Sequence, residues 1–255
     1  MEPDLRTAVR RKYEDAAEVA SYHTVARAGL TPFEATLLRE AFRSGDLVLD
    51  VGCGGGREAV PMARAGLRPV AIDISPAMVQ SAIEFAAASG HLLPGLAGDL
   101  GALPFRNLAF DGIAMLGQVI AHVPSREGRV SALADACALL RPGGVLVMTT
   151  HNRRSHWKFI LYFALVNRWR RMRSTWSGPG GLGDNDRWSA RISPGGSPRR
   201  VFFHMYDLPE ALDDLRAAGF QVMRAGARVE FETGQSDPAS SARDYLLGFI
   251  ARRPV

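Results

Sequence analysis

The residues with the clearest chemical meaning lie in one stretch, Leu47–Val60, LVLDVGCGGGREAV. Gly52, Gly54, Gly55 and Gly56 crowd around Cys53, directly after an apolar run that carries Asp50 near its end. Glycine permits a sharp turn and lets a ligand approach the backbone closely. A glycine turn between a strand and a helix N-terminus is a ready site for a negatively charged group. A second acid, Asp73, follows 23 residues after Asp50, where a carboxylate can accept both hydroxyls of a ribose. A P-loop requires Gly-Lys-Ser/Thr at the end of its turn, and no lysine stands here. The dinucleotide fingerprint G-x-G-x-x-G fits Gly52 and Gly54, but Arg57 occupies the third glycine position.

The elements that must position these residues can be read from apolar periodicity and turn signals. Residues 5–43 read as helices, with Thr31-Pro32-Phe33-Glu34 offering an N-cap, a first-turn proline and a third-position glutamate. Leu47–Val51 reads as a buried parallel strand. Strands are then expected at Pro69–Ile72, Leu92–Ala97, Phe110–Leu116 and Val145–Thr150. Helices are expected from Pro76 and over Arg129–Leu140. The alternation implies parallel βαβ units with helices on both faces of a sheet. The pattern breaks between His151 and Arg200, where FILYFALVNRW reads as a helix and SGPGGLGDND and SPGGSP read as loops. It resumes with a helix over Asp207–Ala218 and strands over Gln221–Phe231 and Tyr245–Arg252.

Asp50-Val51-Gly52-Cys53-Gly54-Gly55-Gly56 resembles the first motif of class I methyltransferases, (D/E)xGxGxG. Ala97–Phe105 resembles that family's GDAxxLPF stretch, Phe110-Asp111 its FDxV opening, and Leu139–Gly144 its LkPGG turn. His204-Met205-Tyr206 followed by a Pro-Glu helix and Ala218-Gly219-Phe220 resembles its C-terminal layout. The resemblance covers residues 45–150 and 204–253. It implies a Rossmann-like α/β fold with a seven-stranded sheet, order 3-2-1-4-5-7-6, the last strand antiparallel. It implies a helical cap at 1–44 and a methyltransferase domain at 45–255 with a basic insert or lid at 151–200. The implied cofactor is S-adenosyl-L-methionine, leaving as S-adenosyl-L-homocysteine. Asp50 belongs to the motif itself, and the backbone of Gly52, Cys53 and Gly54 would pass under the methionine part. Asp73 would hold the ribose, Ile74 and Met78 would pack beside the adenine, and Asp99 with the Leu100 amide would read the adenine edge. Leu116, Gly117 and Gln118 would face the amino group and sulfonium.

Methyl transfer from a sulfonium is an in-line displacement in which alignment and a dry site supply most of the catalysis. A hydroxyl acceptor also needs a base. The candidates are His151 after the fifth strand, His122 in AHVP after the fourth, and His204 and Tyr206 before the last helix. Tyr13 and the pair Tyr22-His23 lie on N-terminal helices that fold over the cofactor in members of this family. The implied activity is methylation of an oxygen or nitrogen on a small molecule. The competing readings are a tRNA wobble-uridine methyltransferase and a non-catalytic cofactor-binding protein.

The chain has 255 residues, 47% of them apolar, and a net charge of +5. The segment 151–200 holds eleven basic residues against Asp184 and Asp186 alone, a net +9. Charge localised in this way raises the local concentration of anionic partners. It suits a lid that grips an acidic group of the substrate, an RNA, or an anionic membrane surface met by Trp157 and its apolar neighbours. No run reaches membrane-spanning length. Cys53 and Cys137 lack metal-site spacing and read as buried thiols. The N-terminus has no signal-peptide core, so a cytoplasmic location is expected.

Overall fold

The computed structural model describes residues 5–172, 183–192, 198–235 and 238–255. Three helices come first: α1 (Leu5–Tyr13), α2 (Ala16–Ala26) and α3 (Pro32–Ala41). Asp15 caps α2 by accepting from the amides of Ala17 and Glu18. Thr31 and Glu34 close a capping box on α3, so both orphan amides at that end are satisfied. Next come β1 (Leu47–Val51), α4 (Ala59–Arg64), β2 (Arg68–Asp73), α5 (Pro76–Ala88), β3 (Gly95–Ala97) and β4 (Phe110–Met115). A single 3-10 turn, Val119–His122, leads to α6 (Arg126–Leu139) and β5 (Leu140–His151). The insert forms α7 (Trp157–Met172) and a hairpin of β6 (Asp186–Ile192) and β7 (Pro198–His204). The chain closes with α8 (Leu208–Ala217), β8 (Gln221–Ala227), α9 (Arg228–Thr233), α10 (Pro238–Arg243) and β9 (Leu246–Arg252).

The main sheet runs β3-β2-β1-β4-β5-β9-β8, with β9 antiparallel to both neighbours. Counting sheet strands alone, this is the expected 3-2-1-4-5-7-6. The hairpin stands apart as its own two-stranded sheet and only moves the labels. Along β1, side chains alternate between two cores. Leu49 and Val51 join Ile72, Met115 and Leu133 on one face. Val48 meets Phe33, Leu37 and Phe231 on the other. Full burial of side chains such as Phe33 and Leu37 is worth roughly 1.5–3 kcal/mol each, which fastens α3 firmly to the sheet.

Beyond shifted ends such as that of β5, which starts at Leu140 rather than Val145, three elements differ from the sequence expectation. β3 begins at Gly95 rather than Leu92, because Pro94 has no amide to donate to a ladder. The strand expected over Gln221–Phe231 stops at Ala227. There the Glu230 carboxylate accepts from the Ala227 amide at 3.0 Å, and α9 follows until Gly234. The hairpin lies mainly in residues 187–192 and 199–204, for which the sequence offered no element. Its strands flank residues 193–197, and its register pairs Asp186 with His204 and Trp188 with Phe202.

Candidate active site

Strand order reverses between β1 and β4, and in open parallel sheets the crevice beyond such a switch point receives ligands. The glycine turn fills one side of that crevice. The amides of Gly52 and Cys53 both donate to the Ile72 carbonyl, at 2.8 and 3.1 Å. The Gly54 amide donates to Asp73 Oδ2 at 3.0 Å, and the Ser75 amide donates to Oδ1 at 2.9 Å. These amides face inward, so they give the ligand a close surface to lie on rather than an anion nest. Gly52 has φ +71, and a Cβ there would stand 2.4 Å from Val119 Cγ2. Gly55 and Gly56 serve packing. A Cβ on Gly55 would stand 3.0 Å from the Tyr22 carbonyl, and one on Gly56 would stand 3.1 Å from Ala82 Cα.

A cavity of about 360 Å³ opens above this turn. Of the residues expected to hold the nucleoside, Gly52, Cys53, Gly54, Asp73 and Ile74 line it on one side. Asp99, Leu100, Leu116, Gly117 and Gln118 line it on the other. Asp50 and Met78 do not line it; both are buried behind the wall. Asp50 Oδ2 has no hydrogen-bond partner among the described residues. Burial, followed by the neighbouring Glu58 charge, pushes the Asp50 carboxyl well above the ordinary aspartate range. Glu58 is itself pushed up to about 7 by burial and lines the cavity. Burial also lifts Asp73, opposed by the amides of Ser75 and Gly54. It raises the Cys53 thiol too, leaving that sulfur a packing group.

The cover of the cavity comes from α1 and α2, through Val9, Tyr13, Tyr22 and Val25. Arg57 ties α3, the helix that follows this cover, to the turn. Its guanidinium grips Glu34 with two bonds of 2.7 Å and pairs with Glu58. Sequence reading passed over this clamp, whose signal was Glu34, already committed to the capping box. Tyr13 stacks edge-on against Tyr22 and His122, and Lys12 lies 4.2 Å from the Tyr13 ring centroid.

His122 is the one expected base that reaches the cavity lining. Gly117 and Gln118, both at φ 62, swing the chain out of β4 into the turn that delivers it. A non-glycine residue in that region is uncommon and marks a backbone held by its surroundings. His122 Nδ1 lies 2.9 Å from the Phe202 carbonyl, and Nε2 lies 3.2 Å from the Tyr13 hydroxyl. A carbonyl can only accept, so Nδ1 carries the proton and Nε2 accepts from Tyr13. Desolvation drops the imidazole to about 4, with the Phe202 carbonyl opposing. The ring is therefore neutral at physiological pH, with its unprotonated nitrogen on the Tyr13 hydroxyl.

The other expected bases lie elsewhere. His204 is buried between Asp186 and Glu210, at 2.7 and 2.8 Å. The Tyr206 hydroxyl donates to Asp214 at 3.3 Å, and burial raises this phenol far from titration. Arg129, 3% exposed, stands within 4.0 Å of the carboxylates of Asp186, Glu210 and Asp214. This buried cluster fastens the hairpin to α6 and α8. His151 packs on Tyr245, ring centroids 4.4 Å apart. His23 stays outside the lining while its neighbour Tyr22 enters it.

Sequence suggested the insert as a lid. None of its described residues lines the cavity. Arg153 and Arg154 both pair with Asp207, Arg170 donates to the carbonyls of Gly183 and Asp186, and Arg171 pairs with Asp184. Its arginines hold the insert to its surroundings. Among its described residues, Phe202 on β7 approaches the site through its carbonyl, behind His122.

Residues 48–144 match the methyltransferase domain family. The ubiquinone biosynthesis O-methyltransferase of Xylella fastidiosa strain 9a5c is 38% identical over 115 residues, 43% of this chain and 44% of that protein. The chain thus spans less than half the length of the curated relatives it matches. Among solved structures, an S-adenosylmethionine-dependent methyltransferase from Methanosarcina mazei superposes with a TM-score of 0.67 at 18% identity. That match covers 89% of this chain and 99% of the other. The 1,6-didemethyltoxoflavin-N1-methyltransferase of Burkholderia thailandensis, solved with its substrate and S-adenosylhomocysteine, gives 0.61 at 20% identity. It covers 98% of this chain and 89% of that one. At such identities the likeness is one of fold.

Proposed function

We propose that this chain, whose residues 48–144 match a methyltransferase domain family, is a class I S-adenosylmethionine-dependent methyltransferase that methylates a hydroxyl oxygen of a small, largely apolar molecule. The observation that supports this reading is the neutral Nε2 of His122 in the same cavity as the glycine turn and Asp73. An amine acceptor that arrives neutral needs no such base; a hydroxyl does.

The residues present fit the cofactor. The turn offers a surface without side chains, and Asp73 retains lone pairs on both oxygens beyond those its two amides use. Asp99 and Leu100 stand where an adenine edge would be read. Glu58, which lines the cavity beside the turn, adds a carboxyl there. Bound there, S-adenosylmethionine would supply an electrophilic methyl group on a sulfonium.

The chain's own residues do the rest. Val9, Tyr13, Tyr22 and Val25 exclude water above the acceptor. The acceptor hydroxyl replaces that of Tyr13 at His122 Nε2 and gives up its proton there as the oxygen attacks. The Phe202 carbonyl then steadies the imidazolium through Nδ1. Among the described residues Arg57 is the one cation in the lining, and it is paired with the carboxylates of Glu34 and Glu58. The cavity therefore supports a neutral acceptor over an acidic one.

The test is calorimetry with S-adenosylhomocysteine and with NAD, followed by transfer of labelled methyl to panels of phenols, alcohols and amines. Binding of the sulfonium nucleoside with turnover on hydroxyls supports the proposal. Tight binding of NAD alone would refute it, as would methylation confined to amines or to tRNA. Binding with no turnover on any acceptor class leaves a non-catalytic cofactor-binding protein.

A further inference from the structure

Helix α7 presents an apolar face that no described residue covers. Its inner side is anchored. Phe163 is buried, Asn167 Nδ2 donates to Asn185 Oδ1 at 2.8 Å, and Arg170 donates to two backbone carbonyls. These contacts fix the rotation of the helix. Outward stand Trp157, Leu161, Leu165 and Met172, exposed by 63%, 50%, 61% and 71%. Their spacing of four, four and seven residues places them in one stripe. Tyr162 and Trp169 widen it. Elsewhere on the described surface, large apolar side chains this exposed are single, as on most soluble proteins.

The charge on the same helix narrows what can cover it. α7 carries Lys158, Arg168, Arg170 and Arg171 and no acid. Lys158 and Arg168 are exposed beside the stripe. A second copy related by a two-fold axis would lay this basic helix against itself, opposing like charges. An RNA would meet Leu161, Leu165 and Met172 where it needs cations. An anionic bilayer satisfies both sets. Apolar side chains enter the acyl boundary, tryptophan and tyrosine sit at headgroup level, and lysine and arginine reach anionic headgroups on flexible stems. At 16 residues the helix is about 24 Å long and would lie in the plane of the surface. No described helix is long and apolar enough to cross a membrane.

We propose that α7 is an interfacial helix that docks this protein on an anionic lipid bilayer. The site stands apart from the cavity, so it holds whether or not the acceptor is a hydroxyl.

Flotation of the whole chain with vesicles of phosphatidylcholine, with and without phosphatidylglycerol, tests it. The protein should rise only with anionic vesicles. Leu161→Glu with Leu165→Glu should abolish flotation, and Lys158→Gln and Arg168→Gln should each weaken it about fivefold at low salt. Brominated acyl chains should quench tryptophan fluorescence, and Trp157→Phe with Trp169→Phe should remove that quenching. All these side chains are exposed, so the variants should keep the parent melting temperature. Three results would overturn the proposal. One is failure to float with anionic vesicles. Another is flotation untouched by the two leucine substitutions. The third is a lipid-free dimer, seen by sedimentation, that those substitutions dissociate.

Discussion

Replacing His122 with asparagine separates the two jobs of that ring. An asparagine amide can still donate toward the Phe202 carbonyl, but nothing replaces Nε2, which accepts from Tyr13 at 3.2 Å. Losing a positioned base typically costs a factor of about 10² to 10⁴, so kcat should fall by that amount while affinity for S-adenosylhomocysteine stays unchanged. The pH profile is the sharper readout. Desolvation holds His122 at about 4, so wild-type kcat/KM should stay flat from neutral pH down to about 5 and fall only below it. The same shift has a stability consequence with a definite sign. The unfolded imidazole binds a proton near 6.5 while the folded one resists until about 4. Native stability is therefore full above 6.5 and is lost as pH falls through that window. At 1.36 kcal/mol per unit the loss is at most ~3 kcal/mol, because the ring borders a cavity. Urea unfolding between pH 7 and 4 should show a shallower acid loss in His122→Asn. The reasoning fails if that variant turns over within a few-fold of wild type. It also fails if the wild-type rate already halves near pH 6.5.

Asp73→Asn should weaken S-adenosylhomocysteine at least tenfold by calorimetry, since a charge-assisted hydrogen bond is worth roughly 1.5–3 kcal/mol and the Gly54 and Ser75 amides compete for the oxygen that remains. Gly54→Leu should abolish that binding and also loosen the cap, because a Cβ there meets Tyr22 Cδ1 at 3.2 Å in a left-handed backbone; limited proteolysis within residues 14–30 reads the second effect. Arg129→Met should cost ~3–5 kcal/mol in chemical denaturation, since it leaves the buried carboxylates of Asp186, Glu210 and Asp214 facing one another.

The sheet was legible because its signals are local. β1 is an apolar run of strand length, and Ser75, Thr31 and Asp207 announce their helices as caps. The hairpin and α9 were not legible, because tertiary partners decide them. Glu230 reads as one more polar residue until its carboxylate is seen to hold the Ala227 amide. One wall of the cavity was legible for a related reason. Glycines and strand-end acids announce themselves by type, and Gly52, Asp73 and Asp99 all reach the cavity lining.

The acceptor side was harder to read because its partners come from distant parts of the chain. Four residues were candidate bases on equal terms, and the structure separates them by surroundings that no local pattern carries. His204 lies among carboxylates and His151 lies on a tyrosine, whereas His122 has one nitrogen on a carbonyl and the other on Tyr13, 109 positions earlier. The carbonyl belongs to Phe202, in the insert whose arginines suggested a lid. A main-chain oxygen has no residue signature, so sequence could point to the charge of the insert but not to its contact with the base. It follows that a change of side chain at Phe202 acts through packing alone, whereas displacing the hairpin acts on the tautomer of His122. The carboxylates around Arg129, and Arg170 through the main-chain carbonyls of Gly183 and Asp186, hold that hairpin in place, and Arg153 braces its flank through Asp207. On the proposed mechanism, Arg170 would bear on the reaction by holding the hairpin whose Phe202 carbonyl keeps the proton on Nδ1.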